Sequence, residues 1–290
     1  MTTPAGPSQG ENVYYLDTEN VAEMGCLINL DQVFTKAMGL FPNLSDSEIG
    51  GLHRVLDVSC GPGGWAQEVA FTYPDIEVAG FDISEVMIDY AKAQARVQGL
   101  DNVTFHVMDI QKLPLNFPDN YFDLVNARFV NFLPAASWSP LLQEYRRITR
   151  PGGFITLTES EWWYFTNSPA LEKFNSMIIR SIKMRGSFSE SGMFTGVLPL
   201  LGRFLLDIGC VDIRHKAHVI DFSAGTVAHE TFRQDAMVAF KLFQPRMVSM
   251  GIATQEELDQ NYDRMVVDML RDDFRGLMLP LTVTGRRGEE

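Results

Sequence analysis

The sequence predicts an α/β fold: a doubly wound, mostly parallel sheet carrying an α-helical cap. Three observations predict it. Apolar runs alternate with helical stretches over residues 54–157, which is the βα repeat of a parallel sheet. The first run ends in Asp57 and the turn Ser59-Cys60-Gly61-Pro62-Gly63-Gly64, with helical composition from Trp65 onward, so it reads as strand, tight loop, helix. Three runs end in an acid, at Asp57, Asp82 and Asp109, and ligands of open parallel sheets sit at the carboxyl ends of the strands.

The elements follow in order. Residues 13–41 carry Val21, Met24, Leu27, Ile28, Val33, Phe34, Ala37 and Met38 in a helical rhythm that stops before Pro42. This segment precedes the first strand and is an addition to the nucleotide-binding core. Residues 84–98 form a helix capped by Ser84 and ended at Gly99, and residues 103–108 a strand. A helix over 139–149 has Pro140 in its first turn and Pro151-Gly152-Gly153 as its stop.

The second half alternates less simply. Residues 169–184 and 197–208 read as helices, the latter ending at Gly209, and 211–222 alternates as a strand. Residues 226–274 are mostly helical, divided by Pro245 and Gly251 and stopped at Gly276, and 277–284 is a strand again. The organisation expected is one domain: a helical cap segment at 1–50, a cofactor-binding core at 51–160, and at 161–290 the last strands with helical lid insertions.

The glycine turn brings bare backbone to a ligand beside a helix N-terminus, which favours negative charge. Two ligands compete at this point. Gly61-Pro62-Gly63-Gly64-Trp65-Ala66 fits the dinucleotide pattern, with Asp82 near the ribose-binding position, and so admits an NAD(P)-dependent oxidoreductase. Asp57, just before the loop, would repel a pyrophosphate but receive the ammonium end of an amino-acid-bearing cofactor. No Tyr-x-x-x-Lys dyad like that of short-chain dehydrogenases is present.

Val55-Leu56-Asp57-Val58-Ser59-Cys60-Gly61-Pro62-Gly63 resembles motif I of the class I S-adenosylmethionine (SAM)-dependent methyltransferases, in their small-molecule, type 11/25-like branch. Gly80-Phe81-Asp82-Ile83-Ser84, Val107-Met108-Asp109-Ile110, Phe122-Asp123-Leu124-Val125-Asn126-Ala127-Arg128 and Arg150-Pro151-Gly152-Gly153-Phe154 follow in the family's order. Ser59 replaces the usual first glycine of the loop. The resemblance implies a seven-stranded Rossmann-like sheet, with SAM held by Tyr14, Asp57, Ser59, Gly61, Pro62, Gly63, Asp82, Ile83, Met87, Asp109, Ile110 and Asn126. In that assignment Asp82 takes the ribose hydroxyls and Asp109 the adenine amino group. The two late strands resemble the antiparallel sixth and seventh strands of the family's sheet.

Methyl transfer from a sulfonium is an in-line displacement, so the protein mainly aligns the partners and excludes water. The expected proton acceptors are Glu159 and Glu161, beside Trp162 and Trp163, and Tyr15 from the cap. Arg128 and Trp162 are the expected substrate contacts. The Met- and Phe-rich lid (Met177, Met184, Phe188, Met193, Phe194, Met237, Phe240, Phe243, Met247 and Met250) predicts an apolar substrate. A SAM-binding protein of the same fold that does not methylate, whether a binding module or a rearrangement catalyst, would share these motifs.

Composition bounds the partners. The 290 residues are 46% hydrophobic and 21% charged, with a net charge of −13, a field that opposes a nucleic-acid backbone. Asn126-Ala127-Arg128-Phe129 also lacks the prolines of the base-methylating motif. No apolar run of membrane-spanning length occurs, residues 1–11 are small and polar, and Cys26, Cys60 and Cys210 show no metal-ligand spacing. The expectation is a cytoplasmic protein with a small-molecule substrate, no metal, no nucleic-acid or membrane partner, and a homodimer left open.

Overall fold

The computed structural model describes residues 21–161, 164–191 and 193–289. Helix α1 (Val21–Met38) and the short α2 (Asp46–Ile49) lead into β1 (Arg54–Val58), α3 (Gly64–Thr72), β2 (Glu77–Asp82), α4 (Glu85–Gln98), β3 (Val103–Val107), β4 (Phe122–Arg128), α5 (Ala135–Ile148) and β5 (Thr149–Glu159). Ser84 caps α4 by accepting the Met87 N–H, and Gly99 closes it in the left-handed region, as the sequence indicates. After β5 come β6 (Phe165–Thr166), α6 (Pro169–Lys183), α7 (Leu201–Asp207), β7 (Cys210–Ala217), β8 (Ile220–Asp221), α8 (His229–Ser249), α9 (Gln255–Met269), β9 (Gly276–Met278) and β10 (Leu281–Arg287).

The main sheet has seven strands in the order β3-β2-β1-β4-β5-β10-β7. All pairings are parallel except those of β10, which runs antiparallel to both neighbours. The chain leaves β1 in one direction through β2 and β3 and returns to the other side as β4. The strand order therefore reverses between β1 and β4, and such a switch point opens a crevice at the strands' carboxyl ends. Successive residues point to opposite faces: Leu56 and Val125 pack with Trp138, Leu142 and Leu205 on one side, Val55 and Leu124 with Trp65, Val69 and Ile88 on the other. A third core, containing Phe34, Phe174, Phe222, Phe232, Phe240 and Met265, joins α1 to α6, α8 and α9. This is the cap.

Four expectations are corrected. Helix α5 starts at Ala135, with Pro140 inside it, because Trp138, Leu141, Leu142 and Tyr145 must all reach the sheet. Pro245 lies within α8; Phe240, Phe243 and Met247 are buried on both sides of it, and the break falls at Gly251, in the left-handed region at φ 66°. Each late strand divides in two. The halves β8 and β9 pair with each other and with β6 in a three-stranded sheet, where Gly276 begins a strand instead of ending a helix. The Met- and Phe-rich lid is divided: Met177, Phe240, Phe243 and Met247 are buried, with Phe240 stacked on Phe174 at 4.3 Å, while Met184, Met193 and Phe194 face solvent.

One buried carboxylate fixes how the chain enters the sheet. Asp123 accepts the backbone N–H groups of His53 (2.7 Å) and Arg54 (2.6 Å) and the Arg150 Nε–H at the start of β5. Burial opposes its charge, but Arg150 and the two amides outweigh it and hold the carboxyl below its usual range. Asp123→Ala should lower the unfolding free energy by about 2–4 kcal/mol in denaturant titration. A depressed folded-state pKa means this contribution is complete above the ordinary carboxylate range and fades as pH falls below it; the difference between wild type and variant should shrink toward pH 3.

Candidate functional site

The turn after β1 is shaped by backbone geometry. Ser59 (φ 53°), Gly61 (φ 53°) and Gly63 (φ 78°) all occupy the left-handed region. For Ser59, standing where a glycine is usual, that conformation costs roughly 1–2 kcal/mol. Asp82 at the end of β2 accepts Gly61 N–H through Oδ2 (2.9 Å) and Ser84 N–H through Oδ1 (3.0 Å), so it fixes the loop as well as facing it. A Cβ on Gly63 would lie 2.6 Å from the Phe105 ring and 2.9 Å from Ala91 Cβ. The loop is held against β3 and α4.

A cavity of about 1140 Å³ of open space, mouth included, lies over this turn. It is lined by Asp57, Ser59, Gly61 and Pro62 from the loop, Asp82, Ile83 and Met87 beyond β2, Asp109 and Ile110 beyond β3, and Arg128 at the end of β4. Asp57 is 2% exposed. Its Oδ1 accepts Asn126 Nδ2–H at 3.1 Å, and its Oδ2 has no partner among the described residues. Burial pushes this carboxyl up to about 7; Arg128 pulls it down and Asp31 pushes it up. Arg128 donates Nη2–H to Asp31 of α1 at 2.5 Å and lies 5.7 Å from the Trp65 ring centroid. Its Nε and Nη1 are buried without hydrogen-bond partners among the described residues. A Cβ on Gly64 would meet Asp31 Oδ2 at 2.1 Å, so that glycine lets α1 approach.

A second cavity, with about 770 Å³ of open space, mouth included, shares Leu27, Leu30, Phe129 and Phe132 with the first as a common wall. Phe129, in the left-handed region at φ 57°, is strained at the junction of the two. Ile178, Ile182, Val238 and Leu242 supply apolar lining, with Glu23 and Cys26 of α1, Asn131, Tyr164, and Asp235 of α8 as polar members; Asn131 Nδ2–H donates to Ser160 C=O at 2.8 Å. Tyr164 O–H donates to Asp235 Oδ2 at 2.8 Å. Burial pushes the Asp235 carboxyl up to about 6, against the lowering effect of the Tyr164 bond.

Of the residues singled out from sequence, the first cavity gathers Asp57, Ser59, Gly61, Pro62, Asp82, Ile83, Met87, Asp109, Ile110 and Arg128. Gly63 and Asn126 stand behind its lining, Gly63 packed on Phe105 and Asn126 bonded to Asp57. Tyr14, Tyr15 and Trp162 lie outside the described residues. Glu159 and Glu161 line neither cavity. Glu159 is fully buried, with Oε1 accepting Val130 N–H at 2.8 Å, and burial holds its carboxyl well above the usual range. Glu161 accepts Thr195 O–H (2.6 Å), Gly196 N–H (2.9 Å) and Leu198 N–H (2.8 Å). Both anchor backbone segments, so they are corrected from proton acceptors to positioning groups. Sequence reasoning missed Asp31, Glu23, Tyr164 and Asp235. For Asp31 a signal existed: an acid interrupting the stripe Leu27, Leu30, Phe34.

Comparison with known proteins bears on the family and the fold. Residues 55–153 match a family described as a methyltransferase domain. A demethylmenaquinone methyltransferase of Geobacillus kaustophilus is 28% identical over 181 residues, which are 59% of this chain and 76% of that protein. Among solved structures, the YcgJ protein of Bacillus subtilis is similar over 93% of this chain and 100% of its own, at 15% identity and a TM-score of 0.52. A phosphoethanolamine N-methyltransferase of Haemonchus contortus, solved with S-adenosylhomocysteine, is similar over 94% of this chain at 16% identity and a TM-score of 0.50; this chain spans 60% of its length. At these identities the structural likeness is one of fold.

The loop geometry has a direct test. Gly63→Ala should destabilise the fold by about 2–4 kcal/mol, since its Cβ meets a ring and a methyl group at a positive φ. Denaturant midpoints measure this; an unchanged midpoint would mean that the packing of the loop on Phe105 is not as described.

Proposed function

We propose that this chain, a class I SAM-dependent methyltransferase, transfers the SAM methyl group to an oxygen, nitrogen or carbon of a small, largely apolar molecule held in the second cavity. One observation carries the reading. At the switch point the first cavity is lined by Asp57, whose Oδ2 has no partner among the described residues, and by Arg128, whose Nε and Nη1 have none among them either. Buried polar atoms of opposite character side by side suit a zwitterion. The amino-acid end of SAM is one: its ammonium fits Asp57 and its carboxylate fits Arg128. That assignment moves Arg128 from the substrate to the cofactor.

The remaining contacts follow the same logic. Asp82 at the end of β2 and Asp109 beyond β3 line the cavity and suit ribose hydroxyls and an adenine amino group, while Ile83, Met87 and Ile110 offer apolar surface for the base. Asn126 orients Asp57 through Oδ1. Bound SAM supplies an electrophilic methyl group on a sulfonium. The protein's part is alignment and exclusion of water: Leu27 and Leu30 of α1 and Phe129 and Phe132 after β4 form an apolar wall at which the two cavities meet. The free thiols of Cys26, Cys60 and Cys210 support a reducing, cytosolic setting. No helix among the described residues is long and apolar enough to cross a membrane.

Calorimetric titration with S-adenosylhomocysteine across pH tests the cofactor assignment. The Asp57 carboxyl is pushed up to about 7, so below that pH it is neutral and gives an ammonium no counter-charge. Affinity should therefore rise as pH increases through 7 and level off above. Asp57→Asn should weaken binding by at least about tenfold at pH 8 and flatten the profile. A flat wild-type profile, or tighter binding of NAD(P)H, would overturn it. Incubation with methyl-labelled SAM and a panel of apolar acceptors then tests the transfer itself.

A further inference from the structure

The second cavity has an unusual charge balance for an apolar space. Among the described residues its lining includes two acids, Glu23 and Asp235, and no Lys, Arg or His. The acids come from different helices, α1 and α8, and line the same cavity; burial first, and then the charges of Asp235 and Glu23, push the neighbouring Cys26 thiol up to about 11. Asp235 is presented in a fixed direction. Its Oδ2 is taken by the Tyr164 hydroxyl at 2.8 Å, which leaves Oδ1 as the acceptor toward a guest. Tyr164 is itself 3% exposed and is held by the Phe222 and Phe232 rings, with centroids at 6.0 and 6.5 Å. The dyad is therefore anchored by the cap core.

A carboxylate in such surroundings is poorly solvated and gains most from a cation that brings its own N–H donors. The rings of Phe129, Phe132 and Tyr164 add faces that attract positive charge. An anionic headgroup would meet the Asp235 carboxylate, with no Lys, Arg or His among the described lining residues to offset it. Resting on the assignment of this cavity to the methyl acceptor, we propose that the acceptor is an amine with an apolar body, its ammonium group received by Asp235 with Glu23 as a supporting charge. Carboxylate- and phosphate-bearing molecules of the same shape are refused.

The probes are 2-phenylethylamine, 2-phenylethanol and 3-phenylpropionate, titrated calorimetrically into the protein saturated with S-adenosylhomocysteine. The amine should bind at least about tenfold more tightly than the alcohol, and the carboxylate more weakly than either. Asp235→Asn keeps an acceptor for the Tyr164 hydroxyl but removes the charge. It should abolish the preference for amine over alcohol while leaving the affinity for S-adenosylhomocysteine and the melting temperature unchanged. Should that variant fail to fold, Glu23→Gln makes the same comparison with a smaller expected loss. Equal binding of amine and alcohol, or any preference for the carboxylate, overturns the inference and leaves an apolar acceptor site standing. If none of the three binds while S-adenosylhomocysteine does, the acceptor assignment of the cavity fails with it.

Discussion

The site depends on one arginine set among buried acids at the point where the strand order reverses. Arg128 ends β4, bonds Asp31 of α1 at 2.5 Å and opposes the burial that pushes up the Asp57 carboxyl. A buried guanidinium with only part of its donor set used is costly unless a ligand completes it. The same side chain thereby ties the added N-terminal helix to the sheet and leaves donors facing the cavity. Without it, Asp31 and Asp57 would be like charges with no cation between them, and α1 would lose its polar anchor over the crevice.

Around this centre the backbone carries strain where a ligand has to approach closely. Ser59 and Phe129, at the ends of adjacent strands β1 and β4, both hold positive φ values, and both border the first cavity. Surrounding contacts over-determine them: Cys60 N–H bonds to Phe81 C=O at 2.9 Å, and Phe129 N–H to Thr158 C=O at 2.8 Å. Sheet hydrogen bonds thus hold each strained turn from the neighbouring strand, which is how a fold keeps such geometry at a site. The catalytic requirement on the protein, alignment in a dry space, is met by position and shape more than by any one reactive side chain.

Much of the core was legible because its signals are local. An apolar run, a strand-end acid and a glycine turn are each confined to a few residues, and β1 to β5 with the cavity acids Asp57, Asp82 and Asp109 follow from them. What the sequence hid is set by distant packing. Glu23 and Asp235 share a cavity only because α1 lies against α8, and nothing local marks either residue. Glu159 and Glu161 are acids near aromatic residues in the sequence, yet partners distant in the chain claim them: the Val130 amide for Glu159, and the Thr195 hydroxyl with the Gly196 and Leu198 amides for Glu161. Proline misled at Pro140 and Pro245, where burial of a helix face on both sides outweighs one missing N–H. Of the Met and Phe that read as a pocket in the cap, Phe243 does line the second cavity, but Phe240 and Met247 fill the core and Met184 and Met193 face solvent; the rest of the pocket draws on branched aliphatic residues and the loop after β4.

The central claim is that Asp57 and Arg128 together recognise a zwitterionic amino-acid end. Comparing S-adenosylhomocysteine with 5′-methylthioadenosine, which keeps the nucleoside and lacks that end, isolates their joint contribution. Wild type should prefer S-adenosylhomocysteine by about a hundredfold or more, and the preference should collapse in the double variant Asp57→Asn/Arg128→Gln while methylthioadenosine affinity stays near that of wild type. Equal affinity of the two ligands for wild type, or a preference that survives the double substitution, would contradict the account.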